Sequence, residues 1–144
     1  MFDHLDELYR DVILDHFKSQ KYKGELPGAT ITVDGANPLC GDELTYRLIV
    51  AKGVITRMRF AGKGCAISQA AAAMLAGQLE GKSVAEAGRL IEALKALMQG
   101  KEPDASVDVG DLEALAGVRK FPVRVKCAAL SWNVVERGLK EQAT

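Results

Sequence analysis

"DELTYRLIVAKGVITRMRFAGKG", residues 42–64, decides the fold class of this chain. The apolar residues of its first half alternate with more polar ones: Leu44, Tyr46, Leu48 and Val50. The second half repeats this alternation less regularly: Ile55, Met58 and Phe60. A period of two is typical of a β-strand with one buried face. Because the short turn "AKG" (residues 51–53) separates the two halves, the segment predicts a β-hairpin.

The residues before the hairpin predict one further strand and a loop. "TITV" (residues 30–33) is rich in the β-branched side chains that favour strands. "DGANPLCG" (residues 34–41) consists mostly of residues that favour turns and loops. Together with the hairpin, this strand predicts a small antiparallel sheet of about three strands with one buried face.

Helical spacing dominates the rest of the chain. Near its start, apolar residues recur every three or four positions: Leu5, Leu8, Tyr9, Val12, Ile13 and Phe17. Residues 65–81 are rich in alanine and end in glycine, as helices commonly do. Ser83 and Glu86 form a capping-box pattern at the start of the next helix. A short helix is predicted from Asp111, and a last helix from about residue 124 to residue 142.

The order of these elements is one helix, then strands, then helices. This order predicts an α+β fold, with the helices packed on one face of the antiparallel sheet. The length of 144 residues fits one domain, so we expect a single domain over residues 1–144.

The charge balance bears on the classes of partner that this protein can have. Lys and Arg together number 19, and Asp and Glu together also number 19. Proteins that bind nucleic acids or membrane surfaces usually carry a basic excess, so we expect neither partner. No apolar run approaches the ~20 residues that a membrane helix needs. The first residues carry acids where a signal peptide carries bases, which favours a cytoplasmic protein.

The three cysteines lie at three distinct positions in the predicted fold. Their number is odd and no export signal is recognised, so a disulfide framework is not expected. Cys40 lies in the loop that enters the hairpin, and Cys65 lies where the hairpin ends and a helix begins. Cys127 is predicted in the first turn of the last helix. Positions near helix N-termini favour a thiolate over a thiol.

An aspartate adds a fourth potential ligand. Cys40 and Asp42 point the same way if their segment is extended, because side chains two residues apart share one face of a strand. Three sulfurs and one carboxylate make four ligands, which is the usual number for zinc. Iron–sulfur clusters also bind cysteine thiolates. Buried cysteines that serve only for packing are the third interpretation.

The sequence offers several other functional candidates. His4 and His16 lie twelve positions apart, which favours two separate helix-flank histidines over a chelating pair. The "GKG" of residues 62–64 lacks the spacing of a phosphate-binding loop. Arg124 precedes Cys127 by about one helical turn and is placed either to stabilise a thiolate or persulfide or to be solvated. Lys126 either steers an acidic partner or is solvated.

Three segments carry a resemblance to a known family. They are "NPLCGD" (37–42), "GKGCAIS" (62–68) and "VKCAALSW" (125–132), and "LYRDVILDHF" near the start extends the match. They resemble the cysteine motifs of the U-type iron–sulfur cluster assembly proteins, IscU and SufU, in the right order and over nearly the whole chain. Where IscU has a histidine before its third cysteine, this chain has Lys126, which is protonated near pH 7 and is a poor ligand. That difference and the long stretch 98–121 make the chain more similar to the SufU branch.

The resemblance implies a ligand set and a function. It implies that Cys40, Asp42, Cys65 and Cys127 bind zinc, and that Cys40 accepts persulfide sulfur from a cysteine desulfurase of the SufS type. The sulfur would pass to downstream iron–sulfur assembly proteins, which makes the chain at most a zinc-dependent sulfurtransferase. Asp42 is also placed to accept the proton of Cys40. Two alternatives stay open: a scaffold that carries a transient iron–sulfur cluster, and a structural-zinc interaction module.

Overall fold

The chain folds as a helix, a three-stranded sheet and a further set of helices. The computed structural model describes the backbone of residues 6–143 and the side chains of residues 10–141. The elements are α1 (Asp6–Lys18), β1 (Ile31–Asn37), β2 (Asp42–Ala51), β3 (Val54–Lys63), α2 (Ala66–Leu79), α3 (Val84–Met98), a 3-10 helix (Gly110–Lys120) and α4 (Pro122–Ala143). The three strands form one antiparallel sheet in the order β1-β2-β3. The predicted α+β class is therefore confirmed.

The hairpin of β2 and β3 closes through a two-residue turn. Lys52 has φ of 53° and Gly53 has φ of 76°. Two successive positive φ values are typical of the tight turn whose twist matches that of the flanking strands. A register shift between Ile49 and Val50 interrupts the pairing of the two strands. This irregularity explains why the apolar alternation of β3 is less regular than that of β2.

Strand β1 is longer than the sequence pattern predicts. The prediction of a loop that begins at residue 34 is wrong, because residues 34–37 continue the ladder with β2. Backbone pairing with β2 outweighs the low strand propensity of Asp, Gly and Asn. Asn37 and Asp42 are consequently direct partners across the turn of residues 38–41. That turn holds Cys40.

One face of the sheet forms the core together with the helices. Its buried side chains are Ile31, Val33, Leu44, Tyr46, Leu48, Ile55, Met58 and Phe60. Helices α2 and α4 pack on this face, α2 mainly on β3 and α4 mainly on β1. The hydroxyl of Tyr46 donates a hydrogen bond of 2.8 Å to the carbonyl of Ala72 in α2, so the buried hydroxyl is satisfied. The prediction of one buried face is confirmed.

The helix ends agree with the sequence pattern in part. The Ser83 hydroxyl accepts from the Glu86 amide and the Glu86 carboxylate accepts from the Ser83 amide, both at 3.0 Å, so the predicted capping box is present. The short helix predicted from Asp111 is an 11-residue 3-10 helix, and α4 begins at Pro122, two residues before the predicted start. His4 lies outside the described residues. No helix within the described part of the chain is long and apolar enough to cross a membrane.

Helix α4 approaches β1 closely because both carry a glycine at the crossing. A β-carbon added at Gly138 would lie 2.8 Å from Cγ1 of the buried Val33, and one added at Gly35 would lie 2.6 Å from Cγ2 of Val134. Real β-carbons essentially never approach that closely, so the contact requires glycine. The crossing fixes the position of α4, which carries Cys127, against β1.

We expect Gly138→Ala to lower the free energy of unfolding by about 1–3 kcal/mol, because the added methyl group overpacks the contact with Val33. Gly88→Ala in α3 is the matched control, since a β-carbon there meets no atom within 4 Å. The control should be unchanged or more stable by up to about 1 kcal/mol through its helix propensity. Urea unfolding followed by circular dichroism measures both variants. Equal stability of the two would contradict this account of the α4–β1 contact.

Candidate metal centre

A tight turn, not an extended segment, brings Cys40 towards Asp42. The amide of Cys40 donates a hydrogen bond of 3.2 Å to the carbonyl of Asn37, and Gly41 has φ of 69°. Residues 38–41 thus form a turn, in agreement with the loop predicted there, and the side chains of Cys40 and Asp42 still reach one centre. Cys40 is half-buried at the tip of the turn, whereas Asp42 at the start of β2 is 1% exposed.

The buried carboxylate of Asp42 is hydrogen-bonded by groups from two other segments. Its Oδ1 accepts from the amide of Cys65 at 2.9 Å and from the hydroxyl of Ser68 at 3.1 Å. Its Oδ2 accepts from the side-chain amide of Asn37 at 3.4 Å. A carboxylate offers about four lone-pair sites, so one site on Oδ2 stays open after these three bonds. The carboxylate is therefore held rigidly and still has room for one further interaction.

Cys127 completes a cluster of three potential ligands. Its thiol is fully buried and donates to the sulfur of Cys40 at 3.1 Å. The side-chain amide of Asn37 contacts the same Cys127 sulfur at 3.7 Å. The ligand atoms of Cys40, Asp42 and Cys127 all lie within 4.8 Å of one another. The structure thus gathers three of the four predicted ligands into one group.

The position of Cys127 within its helix differs from the prediction. It is the sixth residue of α4, which places it in the second turn of the helix and not in the first. Burial raises the pKa of its thiol, and side-chain contacts with Cys40, Asp42 and Cys65 raise that pKa further. The prediction that a helix N-terminus favours a thiolate is wrong for this residue.

Cys65 borders the cluster, but its sulfur is not among the three ligand atoms that all lie within 4.8 Å of one another. It caps the N-terminus of α2, where its Sγ accepts from the Ser68 amide at 3.5 Å. Its own amide donates to Asp42. Its thiol also contacts Cys127, since this contact contributes to the raised pKa of Cys127. Cys65 is therefore adjacent to the group of three, at the start of the predicted helix.

Arg124 lies beside two of the thiols, which agrees with the first of its two interpretations, a residue that stabilises a thiolate. The pKa of the Arg124 guanidinium is raised, mainly by the charge of Cys65 and further by hydrogen bonding with Cys127. Lys126 is exposed at the surface of α4. His16 is also away from the cluster, because its Nε2 lies 2.8 Å from the carboxylate of Asp111.

Two residues that support the site were not singled out from the sequence. The side-chain amide of Asn37 contacts both Asp42 and Cys127. The hydroxyl of Ser68 donates a hydrogen bond to Asp42, and its backbone amide donates one to the sulfur of Cys65. Both lie inside the quoted motifs, as the first residue of "NPLCGD" and the last residue of "GKGCAIS". A buried carboxylate needs hydrogen-bond donors, so polar residues near the candidate ligands in the sequence are the first candidates for such donors.

The cluster opens to the surface at Cys40. A groove of about 610 Å³ runs along Cys40 and is lined further by Lys120, Phe121, Pro122, Val123 and Arg124. Among the described residues, the exposed large hydrophobic side chains are Leu39 and Val123, with 69% and 55% of their surfaces accessible. Leu39 precedes Cys40 in the chain, and Val123 lines the groove. Both exposed apolar side chains therefore flank the one accessible thiol of the cluster.

Comparison with known proteins identifies the family. The family model of the NifU-like N-terminal domain matches residues 8–128. The chain belongs to this family. This match confirms the resemblance to the IscU and SufU proteins.

Individual relatives of the NifU-like N-terminal domain family agree with this assignment. The chain is 44% identical over 138 residues to the zinc-dependent sulfurtransferase SufU of Bacillus subtilis, which covers 96% of this chain and 93% of the relative. It is 38% identical to the iron–sulfur cluster assembly scaffold protein IscU of Streptococcus pyogenes, with coverage of 96% and 87%. A crystal structure of a putative SUF-system scaffold protein from Fervidobacterium islandicum superposes with a TM-score of 0.86 at 35% identity, covering 90% of this chain and 94% of that one.

The donor set of the cluster fits a metal ion such as zinc. Two sulfurs and a carboxylate oxygen with a free lone pair lie within 4.8 Å of one another, and a third sulfur borders them. Zinc binds Cys and Asp ligands, usually four of them. The hydrogen bonds to Asp42 supply the outer contacts that orient a ligating carboxylate.

We expect Gly64→Ala to weaken the binding of a divalent metal ion at this cluster ~10-fold or more, because outer contacts of a metal site usually contribute that much. Gly64 has φ of 152°, and a β-carbon there would overlap Oδ1 of Asp42 and lie 2.7 Å from the Ser68 hydroxyl. Gly28→Ala is the control, since Gly28 also has a positive φ of 82° but meets no atom within 4 Å. Competition with a chromophoric chelator measures both affinities. Equal affinities in two folded variants would contradict the role of the Asp42 contacts.

Proposed function

We propose that this chain is a sulfur acceptor in iron–sulfur cluster assembly. In this role it takes persulfide sulfur from a cysteine desulfurase of the SufS type at Cys40, and passes it to downstream assembly proteins in the cytoplasm. The observation that carries the proposal is the cluster of Cys40, Asp42 and Cys127, whose ligand atoms lie within 4.8 Å and which opens to the surface only at the half-buried Cys40. The similarity to a protein named zinc-dependent sulfurtransferase SufU supports it.

We propose zinc as the metal, held by Cys40, Asp42, Cys65 and Cys127. Bound zinc would keep the ligating thiols deprotonated at neutral pH. Asp42 and Cys127 are the fixed ligands, because both are buried and hydrogen-bonded by residues of neighbouring elements. Cys40 is the exchangeable ligand, because it sits on a surface turn next to an open groove. A ligand supplied by the partner would free Cys40 for reaction.

The transfer itself needs only the thiol of Cys40 and a persulfide donor. The sulfur of Cys40 attacks the terminal sulfur of the donor's persulfide, a new S–S bond forms, and the donor cysteine leaves as a thiolate. Asp42 is close enough to accept the proton of Cys40, since their ligand atoms belong to one group within 4.8 Å. Arg124 stabilises the resulting persulfide anion through its charge, because its guanidinium already lies beside Cys65 and Cys127.

The second candidate function is a scaffold for a transient iron–sulfur cluster. The similarity to proteins named IscU scaffold favours it. Against it, the position before the third cysteine is Lys126, whose side chain is exposed at the surface of α4 and is a poor metal ligand. A structural-zinc interaction module is disfavoured because structural sites are usually closed, whereas Cys40 borders a groove.

Incubation with desulfurase and L-cysteine should place a persulfide on the Cys40 peptide of the wild-type chain, as mapped by mass spectrometry after alkylation. Cys40→Ser removes the nucleophile and should abolish sulfur uptake, while Ser106→Ala, an exposed serine away from the cluster, should leave it unchanged. Full sulfur uptake by the Cys40→Ser chain would contradict the proposal.

Metal content separates the sulfur acceptor from the scaffold. After strictly anaerobic purification we expect zinc in equimolar amount and no acid-labile sulfide, because the donor set suits zinc. Elemental analysis and a labile-sulfide assay measure both quantities. Iron together with labile sulfide in place of zinc would favour the scaffold.

A further inference from the structure

Asn37 contacts three of the four candidate ligands. Its backbone carbonyl accepts a hydrogen bond of 3.2 Å from the amide of Cys40. Its side-chain nitrogen, Nδ2, lies 3.4 Å from Oδ2 of Asp42 and 3.7 Å from Sγ of Cys127. An amide nitrogen carries two protons, so it can donate to both groups at once. Only 8% of the Asn37 surface is accessible, so water competes little for these two bonds.

The three candidate sulfur ligands differ in the donors that reach them. Sγ of Cys127 accepts from the Asn37 side chain, and Sγ of Cys65 accepts from the backbone amide of Ser68 at 3.5 Å. Among the described residues, no amide N–H donates to Sγ of Cys40, whose contact is with the Cys127 thiol. Cys40 and Cys65 are both half-buried, so exposure alone does not separate them. The donor pattern therefore sets Cys40 apart from the other two sulfurs.

An N–H donor changes what a thiolate can do. A hydrogen bond to a charged acceptor is roughly twice as strong as one between neutral groups. It also occupies a lone pair that the sulfur would otherwise offer to an electrophile, and the thiolate is the nucleophilic form of cysteine. A metal-bound thiolate with such a donor is therefore the poorer nucleophile and the better held ligand.

We propose that Asn37 is a positioning residue that determines which ligand leaves the metal ion and reacts. This inference rests on the proposed function, because it takes the zinc site and the exchange of Cys40 as given. Donation from Nδ2 holds Asp42 and Cys127 in place. Cys40 keeps its sulfur lone pairs free of amide donors, while the bond from its backbone amide to Asn37 keeps the turn beside the other ligands. The sulfur that accepts persulfide is thus selected by hydrogen bonding as well as by access.

The side chain of Asn37 can be changed without removing the backbone pairing around it. Asn37 is the last residue of β1 and pairs with Asp42, and strand pairing is made by backbone groups. Asn37→Leu keeps the branch at Cγ but removes both N–H donors, whereas Asn37→Gln keeps the donors on a longer side chain. Gly64→Ala is the matched control, because the atoms nearest to a β-carbon at Gly64 belong to Asp42 and Ser68.

The test loads the full chain with zinc and treats it with iodoacetamide, which traps a thiolate once it leaves the metal ion. Circular dichroism checks the fold, and peptide mass spectrometry gives the rate at each cysteine. We expect Cys40 to react first in the wild-type chain. Asn37→Leu should raise the rate at Cys127 relative to that at Cys40 by ~10-fold or more, and Asn37→Gln should return the ratio towards wild type. Gly64→Ala should weaken metal binding without changing that ratio.

A spectroscopic measurement detects the bonds themselves. A spin-active cadmium isotope takes the place of zinc, since cadmium also binds soft thiolate ligands. An N–H···S bond to a metal-bound thiolate transmits a scalar coupling from the amide proton to the metal nucleus. We expect this coupling in NMR spectra for the side-chain amide of Asn37 and for the backbone amide of Ser68.

Three results would overturn the inference. The first is an unchanged ratio of Cys127 to Cys40 alkylation in Asn37→Leu, and the second is an equal rise of that ratio in Gly64→Ala. The third is bound cadmium without coupling to the Asn37 amide. A wild-type chain that binds no metal, or in which Cys65 or Cys127 reacts first, contradicts the proposed function itself and the inference with it. Wild-type and variant results therefore separate the two failures.

Discussion

The burial of one carboxylate organises this structure. Asp42 is almost inaccessible to water, and a buried charge is costly unless hydrogen bonds compensate it. Its three donors come from Asn37 at the end of β1 and from Cys65 and Ser68 at the start of α2. Satisfying the carboxylate therefore requires both segments to be in place. The same requirement brings Cys40 and Cys65, two of the candidate metal ligands, close to Asp42.

The remaining cysteine is positioned by packing. Cys127 arrives on α4, and the glycine pair Gly35 and Gly138 lets that helix lie close against β1. Asn37, the last residue of β1, contacts both Asp42 and Cys127. It therefore links the α4–β1 contact to the hydrogen bonds around Asp42. Local hydrogen bonding at the turn and long-range packing of a helix on the sheet thus fix opposite sides of one site. Neither would assemble it without the other.

The sequence allowed the sheet to be predicted because the alternation of β2 reports one buried face directly. It failed at residues 34–37, where Asp, Gly and Asn suggest a loop but the ladder continues by backbone pairing, which is independent of side chains. The resemblance supplied the four candidate ligands. The orientation of each thiol was beyond prediction, because it depends on helix phase for Cys127 and on a capping bond for Cys65. The contact between Cys40 and Cys127 is a distance between residues 87 positions apart, and no local pattern encodes it.

The two exposed apolar side chains near Cys40 have a consequence for the free protein. The side chains of Leu39 and Val123 are exposed to water in the free chain. Their hydration is unfavourable, and burial against another surface would remove this cost. A partner surface that covers both side chains would therefore gain the free energy of burying them, right beside the half-buried Cys40.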